Sequence, residues 1–252
     1  CNMNNFFVPG EIDDSTILLT HDKNYYHRLL KQELNDKEKR AIGFPMSDKL
    51  VQREKKIIQG TVECALHALD LGISMNIAGG THHAFSKRAE AFCVLNDQAI
   101  ASNYLINNGL SKKILILDLD VHQGNGTAEI FSNNNKVFTV SFHGKNNYPF
   151  RKEVSDYDYG FEDKTEDKEY LKVITNEIPR LIESFEPDFI FYLSGVDIIE
   201  NDKLGKLSVS LKGCELRDKF VLNYCKNNKL PVQVSMGGGY SKEINEIVEA
   251  HS

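Results

Sequence analysis

Ile114-Leu115-Ile116-Leu117-Asp118-Leu119-Asp120-Val121-His122-Gln123-Gly124-Asn125-Gly126 is a short apolar run that breaks into carboxylates, a histidine and glycines. Four further runs share this grammar. Met75 to Ala78 leads into Gly79-Gly80-Thr81-His82-His83, and Val137 to Val140 into Ser141-Phe142-His143-Gly144. Phe189 to Leu193 leads into Ser194-Gly195-Val196-Asp197, and Val232 to Met236 into Gly237-Gly238-Gly239-Tyr240. The runs are continuous more than alternating, as expected for strands covered on both faces in a parallel sheet. Helix-period segments separate them. One carries Tyr170, Val173, Ile174, Ile178, Leu181, Ile182 and Phe185, with Pro179 expected to bend or interrupt it. Another, capped by Ser47, buries Leu50, Val51, Ile57, Ile58, Val62, Ala65, Leu66 and Leu69. Strand then helix, repeated, predicts an α/β fold: a single three-layer domain around a mainly parallel central sheet. The stretch from about His143 to Asp167, rich in Tyr, Asp, Lys and Gly, reads as one long irregular loop.

Parallel strands place their carboxyl ends on one edge, where open α/β sheets bind ligands, so the five polar segments should converge on one pocket. Asp118, Asp120 and His122, spaced i, i+2, i+4 as the chain leaves a strand, can share a direction. Carboxylate and imidazole suit a divalent ion such as Zn²⁺, and Asp197, leaving another strand, is the natural third ligand beside Asp120 and His122. For an isolated Asp-x-His the plainer reading is a helix-capping aspartate and a packed histidine. Several polar groups emerging together from apolar strands shift the balance to a metal. Hydrolysis beside a metal needs a base for the water and an acid for the leaving amine, roles open to His82 and His83. Tyr240, after three glycines, is either a core aromatic or an oxyanion donor.

The 252 residues, 41% hydrophobic and 26% charged, fit one globular domain or at most two, and no Pro/Gly/Ser linker divides them. The formal charge of −6, without a lysine or arginine block, argues against nucleic acid as a ligand. No run approaches the roughly 18 apolar residues of a membrane span, and Cys1-Asn2-Met3-Asn4-Asn5 lacks the character of a signal peptide, so the expected location is cytoplasmic. Cys1, Cys64, Cys93, Cys214 and Cys225 are odd in number and never spaced Cys-x-x-Cys, against both a disulfide framework and a thiolate zinc site.

Taken in order, Gly79 to Phe85, Phe92 to Asp97, Asp118 to Gly126, Ser194 to Asp197 and Gly237 to Tyr240 make the sequence resemble the zinc-dependent histone deacetylases of the arginase-deacetylase fold. Class IV deacetylases and their bacterial relatives are nearest in pattern, and the resemblance runs over essentially the whole chain. It implies zinc, or Fe²⁺ or Co²⁺ in its place, on Asp120, His122 and Asp197, with His82 and His83 handling protons and Tyr240 polarising the acyl carbonyl. It also implies that Asp118 orients His82. With Ser141 and the backbone carbonyls of Asp120, His122 and Phe142, Asp118 would hold a structural K⁺; Phe131 and Val137 fit a second such site. Phe92 and Tyr148 would wall a channel for an acylated lysine, and the Ala91 carbonyl would meet the substrate N–H. Longer acyl chains than acetyl are compatible with the class IV likeness.

Departures from the family pattern are as telling. Asn125 stands where many relatives have an aspartate behind the second histidine, and Ala89 and Ala91 stand where glycines are common. Family domains normally begin with a strand and a rim loop ahead of the segment at Cys1, so residues 1–252 are expected to be the catalytic domain without that front part. The ureohydrolase branch of the fold carries Asp-x-His-x-Asp for two manganese ions, whereas this chain has Asp118-x-Asp120-x-His122 and then Gly124. A small-molecule amidohydrolase acting on acetylated polyamines shares every residue named. A non-catalytic binding protein would have lost a ligand, a histidine or the tyrosine, and none is lost.

Overall fold

The computed structural model describes residues 5–252; Cys1, and the expectation attached to it, lie outside the described residues. Six strands, β1 (Ile73–Asn76), β2 (Ile114–Asp118), β3 (Val137–Gly144), β4 (Tyr157–Phe161), β5 (Phe189–Leu193) and β6 (Val232–Ser235), form one sheet in the order β1-β6-β5-β2-β3-β4. Every pairing is parallel. The helices are α1 (Asp14–Ile17), α2 (Lys23–Leu30), α3 (Asp36–Ile42), α4 (Asp48–Leu71), α5 (Asp97–Asn107), α6 (Asn125–Phe131), α7 (Asp167–Phe185), α8 (Leu211–Asn227) and α9 (Ile244–Ala250).

Three layers follow from the two-residue period of the central strands. Ile114 and Ile116 of β2, with Phe189 and Phe191 of β5, face one core shared with α2, α4 and α5. Leu115, Leu117, Ile190 and Tyr192 face the other, shared with α7, α8 and α9. Each buried aliphatic or aromatic side chain contributes roughly 1.5–3 kcal/mol, so the inner strands are held from both sides. The sheet order reverses between β2 and β5: β3 and β4 are added on one side, β5 and β6 on the other. That switch point opens a crevice at the strands' carboxyl ends, and the segments after β2 and β5 flank it.

Ser47 caps α4 as expected, its hydroxyl accepting from Leu50 N–H. Four expectations change. First, the apolar run at 75–78 is displaced: β1 spans Ile73–Asn76 and is an edge strand, with Ile73 47% and Met75 39% exposed. An edge has a neighbour on one side only, so burial on both faces does not extend to it. Second, the stretch from 143 to 167 is not all loop, because β4 pairs with β3 inside it. Tyr157, Tyr159 and Phe161 alternate with Asp158 and Gly160, and the Tyr157 and Tyr159 rings meet Phe142 at a tilt. Third, of the bend or break expected at Pro179 the break does not occur: α7 continues from Asp167 to Phe185, since the buried stripe Tyr170, Ile174, Ile178, Leu181 and Ile182 pins it on both sides of the proline. Fourth, Ile57, Leu66 and Leu69 of α4 are only partly buried. Cys64, Cys93, Cys214 and Cys225 are free and buried. Among the described residues, no helix is long and apolar enough to cross a membrane.

Candidate active site

The polar segments after β1, β2, β5 and β6 do converge. Asp120, His122 and Asp197, all buried, offer ligand atoms within 4.8 Å of one another. His122 Nδ1 lies 3.0 Å from both Asp120 Oδ1 and Asp197 Oδ2. Neither Asp118 nor Asp120 caps the helix that follows: the N-cap of α6 is Gly124, with no side-chain bond. The carboxylates instead bind backbone of the crevice itself. Asp120 accepts from His122 N–H (2.9 Å) and Gly238 N–H (2.8 Å), and Asp197 from Val121 N–H (2.9 Å).

Electrostatics bear on what this cluster can hold. Burial and then the Asp120 charge push the Asp197 carboxyl up to about 7. Burial alone would lower His122, but its contacts with Asp120 and Asp197 outweigh that and raise it to about 11. Two buried carboxylates share one imidazole, with His82 Nε2 a further 3.9 Å from Asp120 Oδ1, and a divalent cation among the three ligand atoms would balance the pair of carboxylates. Donor type, burial and spacing therefore fit a metal of the Zn²⁺ kind.

His82 and His83 are buried, with ring centroids 4.1 Å apart. The loop that carries them is anchored by Asp97, at 0% exposure, which accepts from Gly80 N–H, Thr81 N–H and the Thr81 hydroxyl. Gly79, at φ 80°, passes so close to Asp97 that a β-carbon would sit 2.4 Å from its Oδ2. His82 Nδ1 lies 2.6 Å from Asp118 Oδ2. Burial works against a charge on this ring, yet Asp118 and Asp120 hold His82 up to about 9. His83 is driven well below its ordinary value, by burial first and then by the charge of His82.

The tautomer of His83 follows from its neighbours. Asn125 Oδ1 lies 2.7 Å from His83 Nδ1 and also accepts from Gly126 N–H at 3.0 Å. Asn125 Nδ2 donates to Glu90 Oε1 at 3.1 Å. Bonded on both sides, the amide presents its oxygen to His83, so Nδ1 carries the hydrogen and Nε2 has the free lone pair. The Tyr148 hydroxyl donates to the same Glu90 oxygen, and the Tyr148 ring meets His83 edge-on at 5.0 Å.

Two cavities, about 460 and 300 Å³, meet at His83, Ala91, Phe92, His122 and Tyr240. The larger is also lined by Tyr148, so both expected channel walls border it. The Phe92 ring meets Phe44 at a tilt, 5.1 Å between centroids, and lies 6.4 Å from the Tyr240 ring. Burial, then the charges of Asp120 and Asp197, raise the Tyr240 phenol, keeping it a donor; its N–H is fixed by Asp202 at 2.5 Å. Ala91 and Phe92 have φ of 45° and 66°, so the alanine keeps the left-handed backbone that glycine would supply, at a cost of about 1–3 kcal/mol. Ala91 N–H and Phe92 N–H donate to the carbonyls of Ala41 and Ile42 at 2.8 Å, tying this turn to α3.

Other expected positions line neither cavity. Ser141 is the register partner of Asp118, and its hydroxyl lies 3.0 Å from His143 Nδ1. The Phe142 side chain is in the core shared with α7, α8 and α9. Phe131 ends α6 and Val137 begins β3, both buried. His143, one of the strand-end residues expected in the pocket, instead sits 3.9 Å from Asp158 of β4 and borders neither cavity.

Sequence reading gave no role to Asp97, Glu90 or Arg217. Arg217 is 0% exposed and donates to the carbonyls of Gly195 (2.6 Å), Ser194 (3.2 Å) and Leu119 (3.3 Å), and through Nε to Asp218 (2.8 Å). Those carbonyls belong to the two segments that bear Asp120 and Asp197. A signal existed: Cys214, Arg217, Val221 and Cys225 make one buried helical stripe, and a guanidinium on such a stripe must be paired.

An all-parallel α/β sheet thus gathers an Asp-His-Asp cluster that could hold a metal, a histidine pair and a tyrosine around one crevice. A family model described as the histone deacetylase domain matches residues 2–252, and the chain belongs to that family. An uncharacterized protein of Picosynechococcus sp. is 41% identical over 246 residues, 98% of this chain and 82% of its own length. Histone deacetylase 2 of Arabidopsis thaliana is 26% identical over 95% of this chain and 64% of its own; human histone deacetylase 1 is 30% identical over 78% and 42%. The chain thus spans less than two thirds of these two named deacetylases. The HDA15 HD domain crystal structure superimposes with a TM-score of 0.78 at 21% identity, covering 97% of this chain and 74% of that one. It shares the fold.

Proposed function

We propose that this chain is a zinc-dependent amidohydrolase that removes an acetyl or longer acyl group from a lysine side chain. The observation that carries the reading is the meeting of Asp120, His122 and Asp197 with an oppositely tuned histidine pair and Tyr240 around one cavity. Zinc on the three ligands supplies Lewis acidity toward the acyl carbonyl and the attacking water. The protein does the rest. His83 Nε2 takes the proton of the water, because Asn125 keeps the hydrogen on Nδ1. Charged His82, against Asp118, adds positive potential where negative charge develops, and the Tyr240 phenol donates to the carbonyl oxygen. Protonated His83 returns its proton to the departing amine. The Ala91 carbonyl, at the turn fixed by α3, receives the amide N–H, while Phe92 and Tyr148 line the acyl-bearing side chain.

A structural K⁺ near Asp118 and Ser141 belongs to the same reading, supported by their register pairing. Acetylated small amines are the rival substrates. Tyr240→Phe should lower kcat on an acetyl-lysine peptide by about 10²–10³-fold, and protein stripped of metal should lose turnover that zinc restores. Undiminished turnover by either preparation refutes the mechanism.

A further inference from the structure

The substrate reading can be narrowed by the cavity mouth, an inference that rests on the proposed amide hydrolysis. Its inner wall is uncharged apart from the catalytic groups, whereas Arg40 and Lys206 line its outer part. Both are exposed, and no carboxylate lines this cavity among the described residues. Arg40, in the last turn of α3, has no ion-pair partner among the described residues. The Lys206 ammonium donates only to the Asn146 backbone carbonyl, at 2.8 Å. The acids around the mouth have other partners than Arg40 and Lys206: Glu90 holds the mouth residue Tyr148 with Asn125 and Arg88, Asp163 holds the mouth residue Asn146, Glu162 pairs with Lys145, and Asp202 takes backbone N–H groups. Lys152, beside the mouth, is lowered by burial first and also by the charge of Lys206, despite Asp158. Phe150, 91% exposed, and Leu204 complete the rim with apolar surface.

From this arrangement we infer that the mouth selects acylated amines that carry a carboxylate near the acyl-bearing chain, and rejects polycations. An acetyl-lysine threads its side chain past Phe92 and Tyr148, leaving its backbone and flanking groups at Arg40, Lys206 and Phe150. A carboxylate there meets two unpaired cations. An acetylated polyamine brings further ammonium groups to the same place. Sources of the carboxylate are an Asp or Glu flanking the lysine in a peptide, or the α-carboxylate of free Nε-acetyl-lysine.

The test compares kcat/KM of the zinc-loaded protein on acetyl-lysine peptides flanked by Asp, Ala or Lys, on free Nε-acetyl-lysine and its carboxamide, and on acetylspermidine. Each flanking charge should change kcat/KM by about fivefold at low salt, with Asp best and Lys and acetylspermidine worst. Free acetyl-lysine should exceed its carboxamide by a similar factor if the single-residue source is used, and equal it if only peptide carboxylates reach the rim. The order should flatten in about 0.5 M salt and invert in Arg40→Glu/Lys206→Glu. Equal turnover across the flanks, or preference for acetylspermidine, overturns the inference while leaving the hydrolase reading intact. If nothing is turned over, that reading falls, and calorimetry with Asp- and Lys-flanked hydroxamate peptides decides the mouth: equal affinities overturn it.

Discussion

Arg217→Met tests whether the scaffold around the candidate metal ligands is set from behind the sheet. The guanidinium is fully buried and spans the Leu119 carbonyl on one segment and those of Ser194 and Gly195 on the other. Hydrogen bonds from a charged donor are worth about 1.5–3 kcal/mol each, so three lost bonds set a ceiling of roughly 5–9 kcal/mol. Methionine refills part of the volume, and Asp218, with its side chain 24% exposed, regains solvation. The expected loss is therefore about 3–5 kcal/mol, a large share of the 5–15 typical of a domain. Guanidinium unfolding followed by circular dichroism measures it. Because Leu119 and Gly195 lie one and two residues before Asp120 and Asp197, zinc affinity, read by competition with a chromophoric chelator, should fall by about 10–100-fold in the folded variant. Arg217→Lys should be intermediate, since one ammonium cannot span both segments. Destabilisation below about 1 kcal/mol with unchanged zinc affinity would refute the argument; destabilisation alone would make Arg217 a core residue with no part in placing the ligands.

Two further outcomes follow from groups the sequence did not single out. Glu54, 1% exposed beside Arg53, is raised by burial to about 7, above its unfolded value. The folded state therefore holds this proton more tightly, and stability should fall as pH rises from about 4.5 to about 7, by roughly 2–3 kcal/mol in all. Glu54→Gln should remove that slope and exceed the parent's stability at pH 8, as measured by urea unfolding; a less stable variant at pH 8 contradicts the burial argument. Glu90→Ala frees the Asn125 amide to turn its N–H toward His83, so kcat should drop by about 10–100-fold with a smaller change in KM. A fall confined to KM would assign Glu90 to the channel wall through Tyr148 instead.

What was legible in the sequence was local. Asp118, Asp120 and His122 announce themselves because a strand end fixes the direction of alternate side chains, and Gly79-Gly80 and Gly237-Gly238-Gly239 mark turns where no β-carbon fits. The parallel sheet followed from continuous apolar runs, and the one strand missed, β4, was concealed by composition: Tyr157-Asp-Tyr-Gly-Phe161 alternates in period two, but its Asp and Gly look like loop. The β1 exposure was illegible for a different reason, since which strand lies at an edge depends on sheet order and not on its own residues.

Partnership across the fold is the part that sequence conceals. Arg217 meets Leu119 across 98 residues, and Asp97 meets Gly80 across 17. A charged residue on a buried stripe says that a partner exists; only the crossing of α8 over the ends of β2 and β5 says which one. The same holds for Asn125, which in sequence only stands where many relatives have an aspartate. In place it is a device for fixing a tautomer, held by Gly126 on one side and Glu90 on the other, while burial and then the charge of His82 keep His83 neutral and able to accept a proton. An aspartate there would stand about 3 Å from Glu90, and the two carboxylates would repel. Asn125 and Glu90 thus make sense only as a pair, and a substitution at either position should be tolerated best when the other changes with it.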